Sequence, residues 1–406
     1  MKGIVIGLCA LAAAASLQNI AMAQQKTDVK LGVLADMSGI FSDIGGEGSV
    51  IATRMAVEDF MKKPEAQGFN VEVISADAQN KSDISSAIAR KWFDTEGVHA
   101  LVDMPTSAIS LALAPLTHEK NKVALLTASG TSDLTGPACT PNSVHWTYDT
   151  WALAHGTADA LTQEGKKNWY FLTVDFALGH SLERDASNVV KASGGKVMGS
   201  VRHPTDAVDF SSYLLQAQAS GADVIALANT GGDAINALKQ AREFGMMSGG
   251  QTFAGMLMFL SDIHSTGLET AQGLLLTTGF YWDRNDQTRA FAERFAALNR
   301  GRKPTMNQAG AYSATLAYLD AVAKVGSPED GAALVRAIRQ RETFEDPLFG
   351  KTLLREDGRV LHDMLLVQVK KPKESSSPYD YYKIVKTMPG ETVFRSLDQG
   401  GCPLVK

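Results

Sequence analysis

Short apolar runs alternate with longer amphipathic stretches along most of the chain. Residues 29–34 have strand length and composition, and 71–74 form a second such run. Between them, 49–60 places Ala52, Met55, Ala56 and Phe60 at helical spacing. The pattern continues with a helix at 82–95, a strand at 100–102, a helix at 107–120 and a strand at 122–126. Such a run of βαβ units predicts an open, mostly parallel sheet with helices on both faces.

The same rhythm restarts further on. Strands are expected at 168–173, 196–198, 224–227, 251–255 and 273–277, with helices at 179–192, 210–219 and 232–244 between them. Helices at 289–298, 308–325 and 331–339 follow; Ala309, Tyr312, Leu316 and Leu319 give the second of these one packed face. Two sets of βαβ units predict two lobes. Passages between them are expected near 140–148, 278–282 and 348–353. Strand-like runs at 364–369 and 381–385 flank a polar, proline-containing loop, and no 20–50-residue repeat suggests a solenoid.

The first residues change the setting. Lys2 precedes a small, apolar run over 4–16, and Ala21-Met22-Ala23 supplies an A-x-A cleavage site. Residues 1–23 therefore read as a secretory signal peptide. Of the 406 residues, 45% are hydrophobic, enough to build large cores. The net charge is −5, and no basic block suits a nucleic-acid partner. Cleavage would leave Cys139 and Cys402, and an exported pair of this kind is expected to form a disulfide tying the tail to the first third of the chain.

Searches for reaction chemistry return little. The glycine-rich stretch 44–48 lacks both G-x-G-x-x-G spacing and a phosphate-binding lysine, so it reads as a turn into a helix or a ligand-facing loop. No G-x-S-x-G elbow occurs, and the eight histidines make no H-x-x-x-H pair. Asp175 and His180 stand at i,i+5, a spacing that shares a helix face poorly. No metal and no cofactor are expected, and no enzyme.

Several stretches, in order, resemble one family. They are 32–39 (GVLADMSG), 77–83 (DAQNKSD), 105–108 (PTSA), 127–131 (TASGT), 237–242 (ALKQAR), 346–350 (DPLFG), 357–359 (DGR) and His362-Asp363. Spread over 28–385, they resemble the exported solute-binding proteins of ABC importers, of the branched-chain amino-acid (Leu/Ile/Val) type. The resemblance implies an α/β fold of the type I periplasmic binding protein class, with two doubly wound parallel-sheet lobes, a three-strand hinge and a cleft that closes on the solute. Lobe 1 would hold 24–145 and 279–348, and lobe 2 would hold 146–278 and 349–385, with 386–406 a tail. It further implies a periplasmic monomer that hands its solute to the permease subunits.

Candidate ligand contacts follow from that resemblance. Ser107 begins a helix after a first-lobe strand; it would hold a ligand carboxylate or act as a helix cap. Ser129 and Thr131 sit past the next strand and offer hydroxyls and amides, or form an ordinary polar turn. In the second lobe, Asp175, Phe176 and Asn229 follow strands. Phe41, Phe176, Phe280, Tyr281 and Trp282 would line an apolar pocket or pack in the core. Amino-acid binders of this type carry a tyrosine near Leu178 and an acid near Thr277, and this sequence has neither. The expected ligand is a small carboxylate with an apolar body, aromatic acids included. A branched-chain amino acid is the rival. A ligand sensor acting through a separate membrane receptor, or a secreted enzyme, would be an alternative use of the same fold.

Overall fold

In a computed structural model, residues 26–406 are described, residue 342 excepted. The expected signal peptide lies outside the described residues. Five strands open the chain: β1 (Thr27–Ala35), β2 (Phe69–Asp77), β3 (Ala100–Asp103), β4 (Val123–Leu126) and β5 (Ser143–His145). They form one parallel sheet in the order β2-β1-β3-β4-β5. Helices α1 (Gly46–Met61), α2 (Ser82–Thr95) and α3 (Ser107–Glu119) make its crossovers. Every residue of β3 and of β4 is buried, as expected of central parallel strands covered on both faces.

The second set is β6 (Asn168–Val174), β7 (Lys196–His203), β8 (Val224–Ala228), β9 (Thr252–Gly255) and β10 (Leu275–Thr278). The chain then returns to the first sheet through helices Asp286–Leu298, Met306–Val325 and Gly331–Arg339. A small antiparallel sheet follows, with β11 (Thr343–Asp346), β12 (Gly350–Leu354) and β13 (Val360–Leu361). It links the lobes: Arg359 forms a parallel bridge with His145 of β5. The antiparallel strands β14 (Met364–Val369) and β15 (Tyr382–Met388) complete the second sheet, β15-β14-β10-β9-β8-β6-β7.

Both sheets share one device. In the first, β1 lies between β2 and β3; in the second, β6 lies between β7 and β8. Loops leaving β1 and β3, or β6 and β8, diverge to opposite faces and open a crevice at the carboxyl ends of the strands.

The linkage between lobes is buried and polar. Arg359, fully buried, donates to Tyr148 O at 3.0 Å, lies 3.6 Å from the Asp149 carboxylate and stacks over the Phe394 ring. His362 Nε2 lies 2.6 Å from Thr147 O, and Phe349 packs on its ring. Cys139 and Cys402 form the disulfide, with their Cα atoms 5.7 Å apart. Beside it, Arg395 donates to Ser132 O at 2.9 Å, so the tail is held rather than free.

Candidate functional site

The two crevices face each other across one pocket. Its walls come from the loops after β1 (Phe41, Ile44, Gly45, Gly46), after β3 (Pro105, Thr106, Ser107) and after β4 (Ala128, Gly130). The other lobe supplies Phe176 and Leu178 after β6, Thr230 after β8, and Leu257 and Phe259 after β9. Tyr148, in the interlobe passage, packs edge-on against Phe259 with centroids 5.9 Å apart. Asp103 and Asn307 complete the lining. Most of this surface is apolar, with a few convergent polar groups, the usual composition of a small-molecule site.

Local sequence explains how these side chains are aimed. The Asp36 carboxylate accepts from Gly39 N at 2.7 Å, Phe41 N at 2.9 Å and Asn80 Nδ2 at 2.7 Å. It thereby folds the 36–45 loop so that Phe41 turns into the cleft. After β3 the chain makes a left-handed turn, with φ of 79° at Asp103 and 60° at Met104. Neither is glycine, so the turn carries backbone strain of the kind that clusters at functional sites. Neighbouring strands hold it: Met104 N donates to Leu34 O at 2.9 Å, and Asp103 O accepts from Ala128 N at 3.3 Å.

Thr106 is the N-cap of α3, its hydroxyl accepting from Ile109 N at 3.3 Å. Ser107 Oγ accepts from Thr131 N at 3.1 Å, which leaves its own hydroxyl proton available to the pocket. The helix start adds free amides and the positive end of its dipole. Gly130 N–H also has no partner among the described residues. Together these donors make the anion-friendly corner of the pocket.

Lobe-to-lobe contacts close the pocket on two sides. Gly231 sits against the Ile40–Phe41 backbone and ring, so closely that an added Cβ would stand 3.0 Å from Ile40 O and 3.1 Å from Phe41 Cδ1. A polar seam closes the hinge side. Thr131 and Ser181 hydroxyls meet at 2.8 Å, Ser132 donates to Asp185 at 2.7 Å, and Arg184 pairs with Asp133 at 3.0 Å.

The sequence profile of the periplasmic binding protein family matches residues 28–375. The chain belongs to that family. A periplasmic binding protein from Burkholderia mallei is 45% identical over 93% of this chain and 99% of its own, with a TM-score of 0.88. From Burkholderia xenovorans, a branched chain amino acid ABC transporter periplasmic ligand-binding protein is 40% identical over 93% of this chain and all of its own, with a TM-score of 0.82. Leu/Ile/Val-binding protein homolog 6 of Brucella melitensis is 27% identical, covering 82% of this chain and 85% of its own. Solute binding proteins from Rhodopseudomonas palustris, solved with 3,4-dihydroxy benzoic acid, 4-hydroxybenzoate or benzoate, are 18–21% identical and share the fold.

As a periplasmic binding protein, the chain is an exported solute receptor of ABC transport and not an enzyme. Among the described residues, no three His, Cys, Asp or Glu side chains gather as a metal site.

Of the residues expected at the ligand, Phe41, Ser107 and Phe176 line the pocket. Ser129 and Thr131 do not. Ser129 is fully buried, donates toward Met104 O (2.8 Å) and Thr106 O (3.0 Å), and bonds to Ser110; it braces the β3–α3 loop from behind. Thr131 spends its hydroxyl on Ser181 and on Asp133 N. Asp175 is exposed and pairs with His180 at 2.7 Å, a pairing the i,i+5 spacing argued against; Asp175 precedes its helix, so the helix-face argument does not apply. Asn229 is buried behind the pocket and donates to His203 Nε2 at 3.0 Å.

The aromatic run after β10 is also elsewhere. Phe280 packs against Phe291 and Phe349, Tyr281 lies against Tyr382, and Trp282 donates to Tyr379 O at 2.8 Å. The pocket is built on β6, β8 and β9, and β10 lies one strand further out. Sequence reading did not single out Asp103, Tyr148, Leu257, Phe259 and Asn307, whereas Thr230, which it placed after a second-lobe strand, does line the pocket. A usable signal existed for one of them: Asp103 is an acid directly at the end of an apolar strand, where a parallel sheet places ligands.

Proposed function

We propose that the cleft takes a small carboxylate with an apolar body, an aromatic acid foremost, and delivers it to an ABC permease. The observation that carries this reading is the pairing of a donor-rich corner with aromatic walls in one closed pocket. Ser107 at the start of α3 and Gly130 line the same pocket as Phe41, Phe176 and Phe259. No Lys or Arg lines the pocket, so neutral donors and the helix dipole would hold the anion.

The test is calorimetric titration of ligand-free protein with benzoate, 4-hydroxybenzoate and L-leucine. Ser107→Ala should weaken the ligand that binds by about 10-fold, the loss of one charge-assisted hydrogen bond. Equal affinity in the variant would sink the anion corner. A branched-chain amino acid is the second reading, favoured by the Asp103 carboxyl in the pocket, which suits an ammonium group.

A further inference from the structure

The pocket contains acceptors that the protein does not satisfy. Asp103 is 1% exposed, and neither of its carboxyl oxygens has a hydrogen-bond partner among the described residues. Asn307 Oδ1, also buried, is in the same condition. Both residues line the pocket. Buried carboxyls in folded proteins are normally paired or hydrogen-bonded, because a bare one costs several kcal/mol.

Among the described residues, no neighbour makes a full hydrogen bond to the carboxyl. The Tyr148 hydroxyl is committed to Ala128 O at 2.6 Å. The Ser49 hydroxyl, the nearest remaining donor, acts on the Asp103 carboxyl but does not reach hydrogen-bond geometry with it, and its effect is outweighed by burial. Gly45 lets the backbone of the loop after β1 pack directly on the carboxyl: a Cβ there would stand 2.8 Å from Asp103 Oδ2. The strained turn at Asp103 and Met104 holds the group in position. An acidic side chain that is buried, without a full hydrogen bond, rigidly held and part of the lining of a ligand pocket is arranged to meet a donor from outside.

We propose that the solute carries, besides its carboxylate, a hydrogen-bond donor that docks on Asp103 and Asn307. A phenolic or aliphatic hydroxyl would serve, and so would an ammonium. The inference rests on the carboxylate-in-cleft reading and sharpens it: Asp103 is a specificity-determining residue, and the receptor rejects acids that lack the donor. Leaving Asp103 and Asn307 unpaired in a closed cleft penalises such a ligand far more than losing a methylene would.

Matched pairs test this without any variant. Ligand-free wild-type protein is titrated with 4-hydroxybenzoate against benzoate, L-leucine against 4-methylpentanoate, and the carboxylate-free pair 4-hydroxybenzamide against benzamide. In whichever pair binds, the donor-bearing member should bind at least about 30-fold more tightly. The hydroxybenzoate arm identifies a hydroxyl, and the leucine arm an ammonium. Asp103→Asn should reduce the gap to under about 5-fold, since it keeps one acceptor oxygen but loses the charge and adds a donor. Equal affinities within a binding pair overturn the inference, as does a gap that Asp103→Asn leaves unchanged. Binding confined to the amide pair refutes the carboxylate reading while its own ratio still decides the donor. Absence of binding by every compound refutes both.

Discussion

Removing the Asp103 charge should stabilise the ligand-free protein, and only at high pH. Burial raises this carboxyl from its ordinary 3.8 to about 7, against a smaller lowering by the Ser49 hydroxyl, and the charge of Asp36 adds to the rise. Each pKa unit corresponds to about 1.4 kcal/mol, so a rise of roughly three units corresponds to about 4 kcal/mol. The sign follows from proton binding. Between pH 4 and 7 the folded state holds a proton that the unfolded chain has released, so stability falls as pH rises through that window. Below it the penalty is absent, and above it the penalty is complete. Asp103→Asn keeps the shape and removes the titration. Its stability advantage over wild type should therefore be within about 1 kcal/mol at pH 4 and grow to about 4 kcal/mol by pH 8. Water entering the open pocket would reduce the figure, which makes it an upper bound. Asp262, raised to about 7, and Asp233, raised to about 6, titrate in both proteins and cancel in the difference. The assay is urea unfolding of ligand-stripped protein at pH 4, 6 and 8. A difference that stays flat with pH would refute the claim that Asp103 is desolvated and unpaired.

Three other substitutions probe the frame around the pocket. Cys402→Ser removes a bridge between residues 263 apart, and chain entropy puts the loss on the order of 5 kcal/mol; a urea midpoint indifferent to both the substitution and reductant would contradict this. Gly130→Ala places a Cβ 2.8 Å from Leu178 Cδ1 and 3.1 Å from Tyr148 Cε2, inside the pocket. Ligand affinity should fall at least about 10-fold, from the forced displacement of packed side chains, with the ligand-free melting temperature nearly unchanged; unaltered affinity by calorimetry would count against the pocket. Gly231→Ala sets its Cβ against Ile40 O and Phe41 across the cleft, at a φ of 59° that disfavours any side chain. The ligand-saturated variant should be more open, with a larger radius of gyration by solution scattering than saturated wild type, and an unchanged radius would show that this contact does not limit closure.

The fold was legible because its signals are local and repeated. Buried strands such as β3, β4 and β8 read as short apolar runs, and the helices between them keep their period. The small sheet β11–β13 was not expected as strands: its burial pattern is irregular, and it is held by long-range contacts such as the bridge from Arg359 to His145. The site was only partly legible. Ser107 and Phe176, both expected at the ligand, line the pocket and follow strands in the central, predictable part of each sheet. Ser129 and Thr131 follow a strand too, but whether a hydroxyl faces the cleft or the loop behind it depends on Ser110, Ser181 and Met104, which sequence does not place. Phe280 to Trp282 lie away from this pocket: composition says nothing of strand order, and β10 stands one strand outside the crevice.

Asp103 shows why such a site departs from the rules that build the rest. Other polar groups at the interlobe boundary are paired within the protein: Ser132 with Asp185, Arg359 with Tyr148 O, His362 with Thr147 O. Those pairs are made entirely within the protein, so they fix how the lobes meet but cannot report what lies between them. A receptor that closes on its solute needs some interaction that exists only when the right solute is present, since only a difference in affinity between open and closed states drives closure. The unpaired carboxyl supplies that difference. Empty, or filled by an acid without a donor, the closed cleft carries the full cost of a bare buried charge. Filled by a donor-bearing acid, it does not. The same residue that weakens the ligand-free protein at neutral pH is therefore the one that makes closure conditional on the ligand.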